Sequence, residues 1–235
     1  MRSGIVHIIS LLIFSTGLTK AQFVPAFSDN YLPLNEPCEV TALDGTLYKG
    51  TLKMAMQVNG KLKMLSIALD DVHERKRVTA DDVTLVKMKP SDIQKIGEVA
   101  NSATNVNKFK DIKNIIDCDW IYYEKVTLGE NNRSYLMQRL NPGEANNKLK
   151  AYVDPNAKHE SSFSFGGMTL AGGKDKSYFI VMEGVNKSVL AKKGEYKDQM
   201  AEIFPNCPYF FTDLNGDDDW GNFAYHVALY NHTCK

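Results

Sequence analysis

The dipeptide Asn59-Gly60 lies between two runs of alternating polarity, an arrangement that few folds satisfy. In the first run Tyr48, Leu52, Met54, Met56 and Val58 share one face, while Lys49, Thr51, Lys53 and Gln57 take the other. A period of two matches the pleat of a strand with one wet face, not the turn of a helix. Asn and Gly tolerate the positive φ of a type I′ turn, so the second run, Lys61 to Leu69, folds back as a hairpin. Asp44-Gly45 marks an earlier turn, behind a strand in which Cys38, Val40 and Ala42 alternate with Glu39 and Thr41. A polar link from Asp70 to Glu74 leads to a strand around Val83–Met88. Gly50 interrupts the apolar face and marks a bend or bulge. Residues 37–89 thus read as a small antiparallel β-module of five short strands, a meander or partly open barrel.

Residues 90–107 read as a helical linker. Ser91 can cap the helix after Pro90, and Gln94 stands where a capping box needs it. Residues 108–235 then read as a second antiparallel sheet with two C-terminal helices. Trp120, Tyr122, Val126 and Leu128 alternate with Tyr123, Lys125 and Thr127, the period of a strand packed on a core rather than of a stacking platform for sugars or bases. Tyr178 to Met182 is apolar on both faces and belongs inside a covered sheet. Tyr196, Met200, Ile203 and Phe204 recur at helical spacing, and Pro205 and Pro208 stop that helix. Trp220, Phe223, Val227 and Tyr230 form a second helical stripe, with Asp217, Asp218 and Asp219 at its electropositive start. The predicted fold class is α+β.

Residues 1–21 have the layout of a cleaved secretory signal peptide: basic Arg2, an apolar stretch from Ile5 to Leu18, and a small residue, Ala21, before the cut. The stretch is broken by His7, Ser10, Ser15 and Thr16 and falls short of the roughly 20 apolar residues of a spanning helix. Residues 22–36 read as an extended lead-in. The expectation is an exported protein, periplasmic or extracellular, without a transmembrane anchor. The whole chain balances 28 Lys and Arg against 28 Asp and Glu, which argues against nucleic acid as a partner.

In an oxidising compartment four cysteines are compatible with two disulfides, and three pairings exist. Cys207 and Cys234 share the C-terminal segment and are expected to pair, which leaves Cys38 with Cys118; buried free thiols are the other reading.

Candidate chemistry is sparse. Asp213, Asn215 and Asp217 have the alternating oxygen donors of a calcium loop, but Asp218 and Ala224 stand where such a loop needs its glycine and its closing carboxylate. A capping turn explains the same residues. The glycines from Gly166 to Gly173 suit a hairpin connection better than a phosphate loop, since no helix follows. Cys207, His226, His232 and Cys234 could donate to zinc but lack paired spacing. No catalytic motif is present and no cofactor is implied.

Several segments carry a resemblance: Asp44-Gly45-Thr46-Leu47-Tyr48-Lys49-Gly50, Tyr135 to Gly143 with Ala151 to Pro155, Asp175 to Val181, Ile203 to Pro208, and Tyr230 to Cys234. In these the chain resembles a group of exported proteins of unknown function from flavobacteria and other Bacteroidetes. The resemblance implies export and architecture but no activity. The opening hairpin is also similar to small SH3- or Sm-like barrels. The expected function is that of a non-enzymatic binding or structural accessory of the cell envelope, with an envelope protein or glycan as partner. The alternatives are a secreted hydrolase with a carboxylate site and a calcium-dependent adhesion module.

Overall fold

The computed structural model describes residues 23–24, 26–27, 32–58, 61–103, 112–128, 133–154, 156–157, 163–165, 168–170, 177–185 and 188–234. The expected signal peptide, the Asn59-Gly60 turn and most of the 166–175 loop lie outside these residues.

The first strands lie where the sequence pattern places them. They are β1 (Pro37–Ala42), β2 (Leu47–Val58), β3 (Lys61–Leu69), β4 (Arg75–Thr79) and β5 (Val83–Met88). Helix α1 (Asp92–Ala103) starts at the predicted capping box: Gln94 N donates to Ser91 Oγ and Ser91 N donates to Gln94 Oε1, both at 3.2 Å. A short helix α2 (Ile112–Ile116) precedes β6 (Ile121–Leu128), β7 (Arg133–Arg139) and β8 (Leu149–Val153). The hairpin β9 (Phe163–Phe165) and β10 (Met168–Leu170) stands apart from the main sheet. Then come β11 (Ser177–Met182), β12 (Ser188–Lys192), α3 (Tyr196–Ile203), α4 (Pro208–Leu214) and α5 (Phe223–Thr233).

The chain is an α+β protein, and its sheet is larger and more continuous than expected. Instead of two sheets, ten strands form one antiparallel sheet in the order β12-β11-β8-β7-β6-β5-β1-β2-β3-β4. The join is β5 with β6, where Met88 faces Ile121 and Val86 faces Tyr123. Left unpaired, each of those edges would expose a row of backbone donors and acceptors. A further pairing of Leu62 with Leu136 brings β3 against β7 and closes β1, β2, β3, β7, β6 and β5 into a six-stranded barrel. The barrel thus borrows two strands from beyond the linker, while β4 runs along β3 outside the ring.

Gly50 marks neither a bend nor a bulge. A Cβ there would lie 2.0 Å from the Ala68 carbonyl oxygen, so Gly is required where β2 and β3 come closest. The bulges fall further along, between Leu52 and Met54 and between Met56 and Gln57. The first has its extra residue, Lys53, on β2 and the second its extra residue, Lys63, on β3. The bulge at Lys53 overturns the expected single apolar face: Leu52 stays buried in the barrel, whereas Met54, Met56 and Val58 alternate outward.

The barrel interior holds Val40, Leu52, Leu62, Leu65, Ile67, Val86, Ile121, Tyr123 and Leu136. Tyr123 is therefore a core residue, and it is Tyr122, Glu124, Val126 and Leu128 that share the outer face, the reverse of the expected phase. A second core lies between β8, β11 and β12 and helices α3 to α5. Leu149, Ala151, Ile180 and Ala191 meet Tyr196, Phe204, Phe210, Trp220, Phe223, Val227 and Tyr230. The rings of Trp220 and Phe223 stack at 4.7 Å, a favourable offset for aromatic quadrupoles. Three C-terminal α-helices form rather than two, because Pro208 opens α4 at its first turn, where its missing N–H has no cost.

Cys207 and Cys234 are disulfide-bonded, with Cα atoms 5.7 Å apart. The expected Cys38–Cys118 bridge does not form; both are buried free thiols. Each fills the barrel core, and the Cys118 thiol donates to the Trp120 carbonyl at 3.4 Å. Burial, with a smaller contribution from Glu39, pushes the Cys38 thiol up to about 12, which suppresses the thiolate that disulfide exchange requires.

Candidate binding face

Strands β2, β3 and β4 contain seven basic residues, Lys49, Lys53, Lys61, Lys63, Arg75, Lys76 and Arg77, and no acidic one. The carboxylates nearest in sequence, Asp44, Asp70, Asp71, Glu74, Asp81 and Asp82, sit in the turns at the strand ends, and Asp44 and Asp82 lie near enough to Lys76 to feel its charge. Of the seven cations, only Lys49 has a carboxylate of the described residues within ion-pair distance, Glu39 at 3.6 Å. Lys53 donates to the Asn35 side-chain oxygen at 3.2 Å, and Arg77 Nε points at the Met64 sulfur. Lys61 and Lys63 both lie over the Tyr135 ring, at 4.3 and 4.6 Å from its centroid, and Lys76 lies over Tyr48 at 5.0 Å. Cation–π contacts hold these ammonium groups in place without neutralising them.

Register places most of these cations beside an apolar stripe. Met54 faces Ser66, which faces Arg77; Met56 faces Met64, which faces Thr79; Ala68 faces Arg75. Met54, Met56 and Val58 are 43%, 45% and 46% exposed, so three large apolar side chains stand in water between lysines and arginines. With strands spaced about 4.8 Å apart, Arg77 lies about 10 Å from Met54. The face can attract an anion over a broad area and can bury apolar surface at its centre.

Other polar clusters are occupied. Glu124 on β6 receives the Arg139 guanidinium, Lys150 Nζ at 3.1 Å and the Tyr152 hydroxyl at 2.9 Å. Burial alone would push the Glu124 carboxyl up, but Arg139 and Lys150 outweigh it and hold the group below the ordinary carboxylate range. Arg139 also donates to the carbonyls of Gly143 and Asn146 and to the Asn147 side chain, which ties the loop before β8 to the sheet. A carboxylate held by three donors is a poor general acid or base.

The calcium candidates point to different partners. Asp213, on α4, accepts from Thr233 Oγ1 at 3.3 Å. Asn215 takes the left-handed cap of α4, at φ 51°. Asp217 accepts from Asp219 N at 3.0 Å and Asn222 Nδ2 at 2.8 Å, with His226 Nε2 3.3 Å away but poorly aligned. Asn215 caps α4, while Asp213 and Asp217 bond within the α4–α5 region, and the side-chain cap there is Asp219, which accepts from Gly221 N. Of the four zinc candidates, Cys207 and Cys234 are bonded to each other, His226 is buried against Tyr196, and His232 is exposed on the last turn of α5.

The sequence reading missed the basic face because whole-chain neutrality concealed it. A charge count strand by strand would have found it.

Fold and face together define a class: an α+β protein in which a closed six-stranded barrel presents an open cationic and apolar surface. No protein-family model matches the chain, and no curated protein or solved structure matches it.

Proposed function

We propose that this is an exported, non-enzymatic accessory of the cell envelope that binds an anionic partner through the outer face of β2, β3 and β4. The observation that carries the reading is that these strands have seven cations and no carboxylate, with Lys76, opposite the core residue Ile67, the one that alternates away from the face shared by Arg75 and Arg77. The Cys207–Cys234 disulfide is compatible with the oxidising compartment that the N-terminal segment suggests. The occupied state of Glu124 favours binding over hydrolysis. The resemblance to exported Bacteroidetes proteins in the segments named above agrees with this placement.

Two measurements test the reading. Expressed from its full sequence in a bacterial host, the chain should be recovered outside the cytoplasm, starting near Gln22, with one disulfide. The purified mature protein should be retained on immobilised heparin and released by salt, because the attraction is screened within about 10 Å at 0.1 M salt. An unprocessed cytoplasmic product with reduced thiols would refute export, and passage through heparin at low salt would refute the anionic partner.

A further inference from the structure

We infer that the partner of this face is the surface of an anionic lipid bilayer, with Met54, Met56 and Val58 entering the interface and the surrounding cations engaging headgroup phosphates. This rests on the anionic-partner reading and goes beyond it.

A soluble polyanion would be served by the cations alone. It gives no reason for three apolar side chains, each 43–46% exposed, at the centre of the charge. Exposed apolar residues ringed by polar ones mark an interaction site, and Lys and Arg beside an apolar stripe suit an interface with hydrocarbon below and phosphate above. The outward turn of the stripe is built in, since the bulge at Lys53 of β2 shifts the alternation so that Met54, Met56 and Val58 face away from the barrel while Leu52 stays inside. Methionine is unbranched and adapts to an irregular surface such as the acyl boundary. The lysines reach past the stripe on long stems: Lys61 and Lys63 are braced on Tyr135, so both ammonium groups remain available to phosphate. None of the described helices is long and apolar enough to cross a membrane, so the association argued here is interfacial. The C-terminal cap is of opposite sign. From Glu195 to Asp219 it has seven acidic residues and one basic, Lys197, which an anionic surface would repel and so orient toward water.

The test is co-sedimentation of the mature protein with sucrose-loaded vesicles. Phosphatidylcholine–phosphatidylglycerol vesicles should carry it down; phosphatidylcholine vesicles should not. Because each cation near an anionic surface contributes about a fivefold factor in partition, Lys61→Glu with Lys63→Glu should reduce binding by about 30-fold or more. Met54→Ser with Met56→Ser should also weaken it several-fold, with unchanged circular dichroism showing that the barrel is intact. Lys113→Glu, on α2, should bind as the parent does. Retention on heparin without vesicle binding, or vesicle binding indifferent to the methionine changes, would overturn the lipid inference and leave the anionic-partner reading standing. Loss of both heparin and vesicle binding in the folded parent would overturn both.

Discussion

His226 is the residue on which the C-terminal half should respond to acid. It is 0% exposed, with Nδ1 2.5 Å from the Tyr196 hydroxyl and Nε2 3.3 Å from Asp217. Burial lowers its affinity for a proton, and Asp217, Asp219 and Asp218 restore only part of it, so the net direction is down from 6.5. With its proton on Nε2, toward the Asp217 carboxylate, the neutral ring accepts the Tyr196 hydroxyl at Nδ1, and protonation would remove that acceptor. Between the lowered folded value and 6.5 the unfolded chain binds more protons than the folded one. Stability is therefore fully present above about pH 6.5 and declines as pH falls below it. The urea midpoint should drop between pH 7.5 and 5, and His226→Gln should flatten that slope even though it lowers the midpoint at pH 7.5. An unchanged slope would show that the ring does not govern the transition. The histidine itself is plain in the sequence, but its burial depends on Tyr196 and Asp217 arriving from two other segments.

At the scale of elements, the disulfide closes a loop of 27 residues in sequence separation that contains α4 and α5. In the chain-entropy model a loop of that length is stabilised by about 3–4 kcal/mol. Reduction, or replacement of Cys207 and Cys234 by serine, should lower the melting temperature by about 10 °C, given about 2–4 °C per kcal/mol for a chain of this size. A melting temperature unmoved by reductant would mean that the packing of α5 on β8 holds the cap alone. The pairing was legible because two cysteines share one short segment. The fate of Cys38 and Cys118 was not, since both enter a barrel core assembled from strands far apart in sequence. Local signals did well in the same way where no pairing intervened: the capping box of α1 depends on neighbours within a few residues. The alternation of β2 put Met54, Met56 and Val58 on the core face with Leu52, and the bulge at Lys53, set by pairing with β3, turned them out. The phase of β6 was misread because both of its faces are partly covered, the inner by the barrel and the outer by β7, β8 and β11, so alternation alone could not say which face was the core.

For the whole molecule, closure of the barrel is the decisive event. Leu62 and Leu136, at 0% and 1% exposure, meet where β3 reaches β7. Two of the six ring strands lie beyond residue 120, so residues 37–89 cannot close their barrel alone. A fragment ending at residue 107 should show no cooperative thermal transition, because it would leave β5 without β6 and the Leu62 end of β3 without β7. A fragment that melts sharply would make the first module an independent unit.

By itself the sequence determined what short range can determine: the strand and helix periods, the turn residues, the capping box and the paired C-terminal cysteines. These depend on residues close enough along the chain for their spacing to carry the geometry. Only the tertiary structure decided that one sheet runs through both modules, that Cys38 and Cys118 stay apart, and that a chain of zero formal net charge sets a cationic face on β2, β3 and β4 against an acidic C-terminal cap. Charge balance is a sum over residues, whereas an electrostatic face depends on which strands are neighbours, and strand order is set by pairings between distant segments that no local pattern encodes.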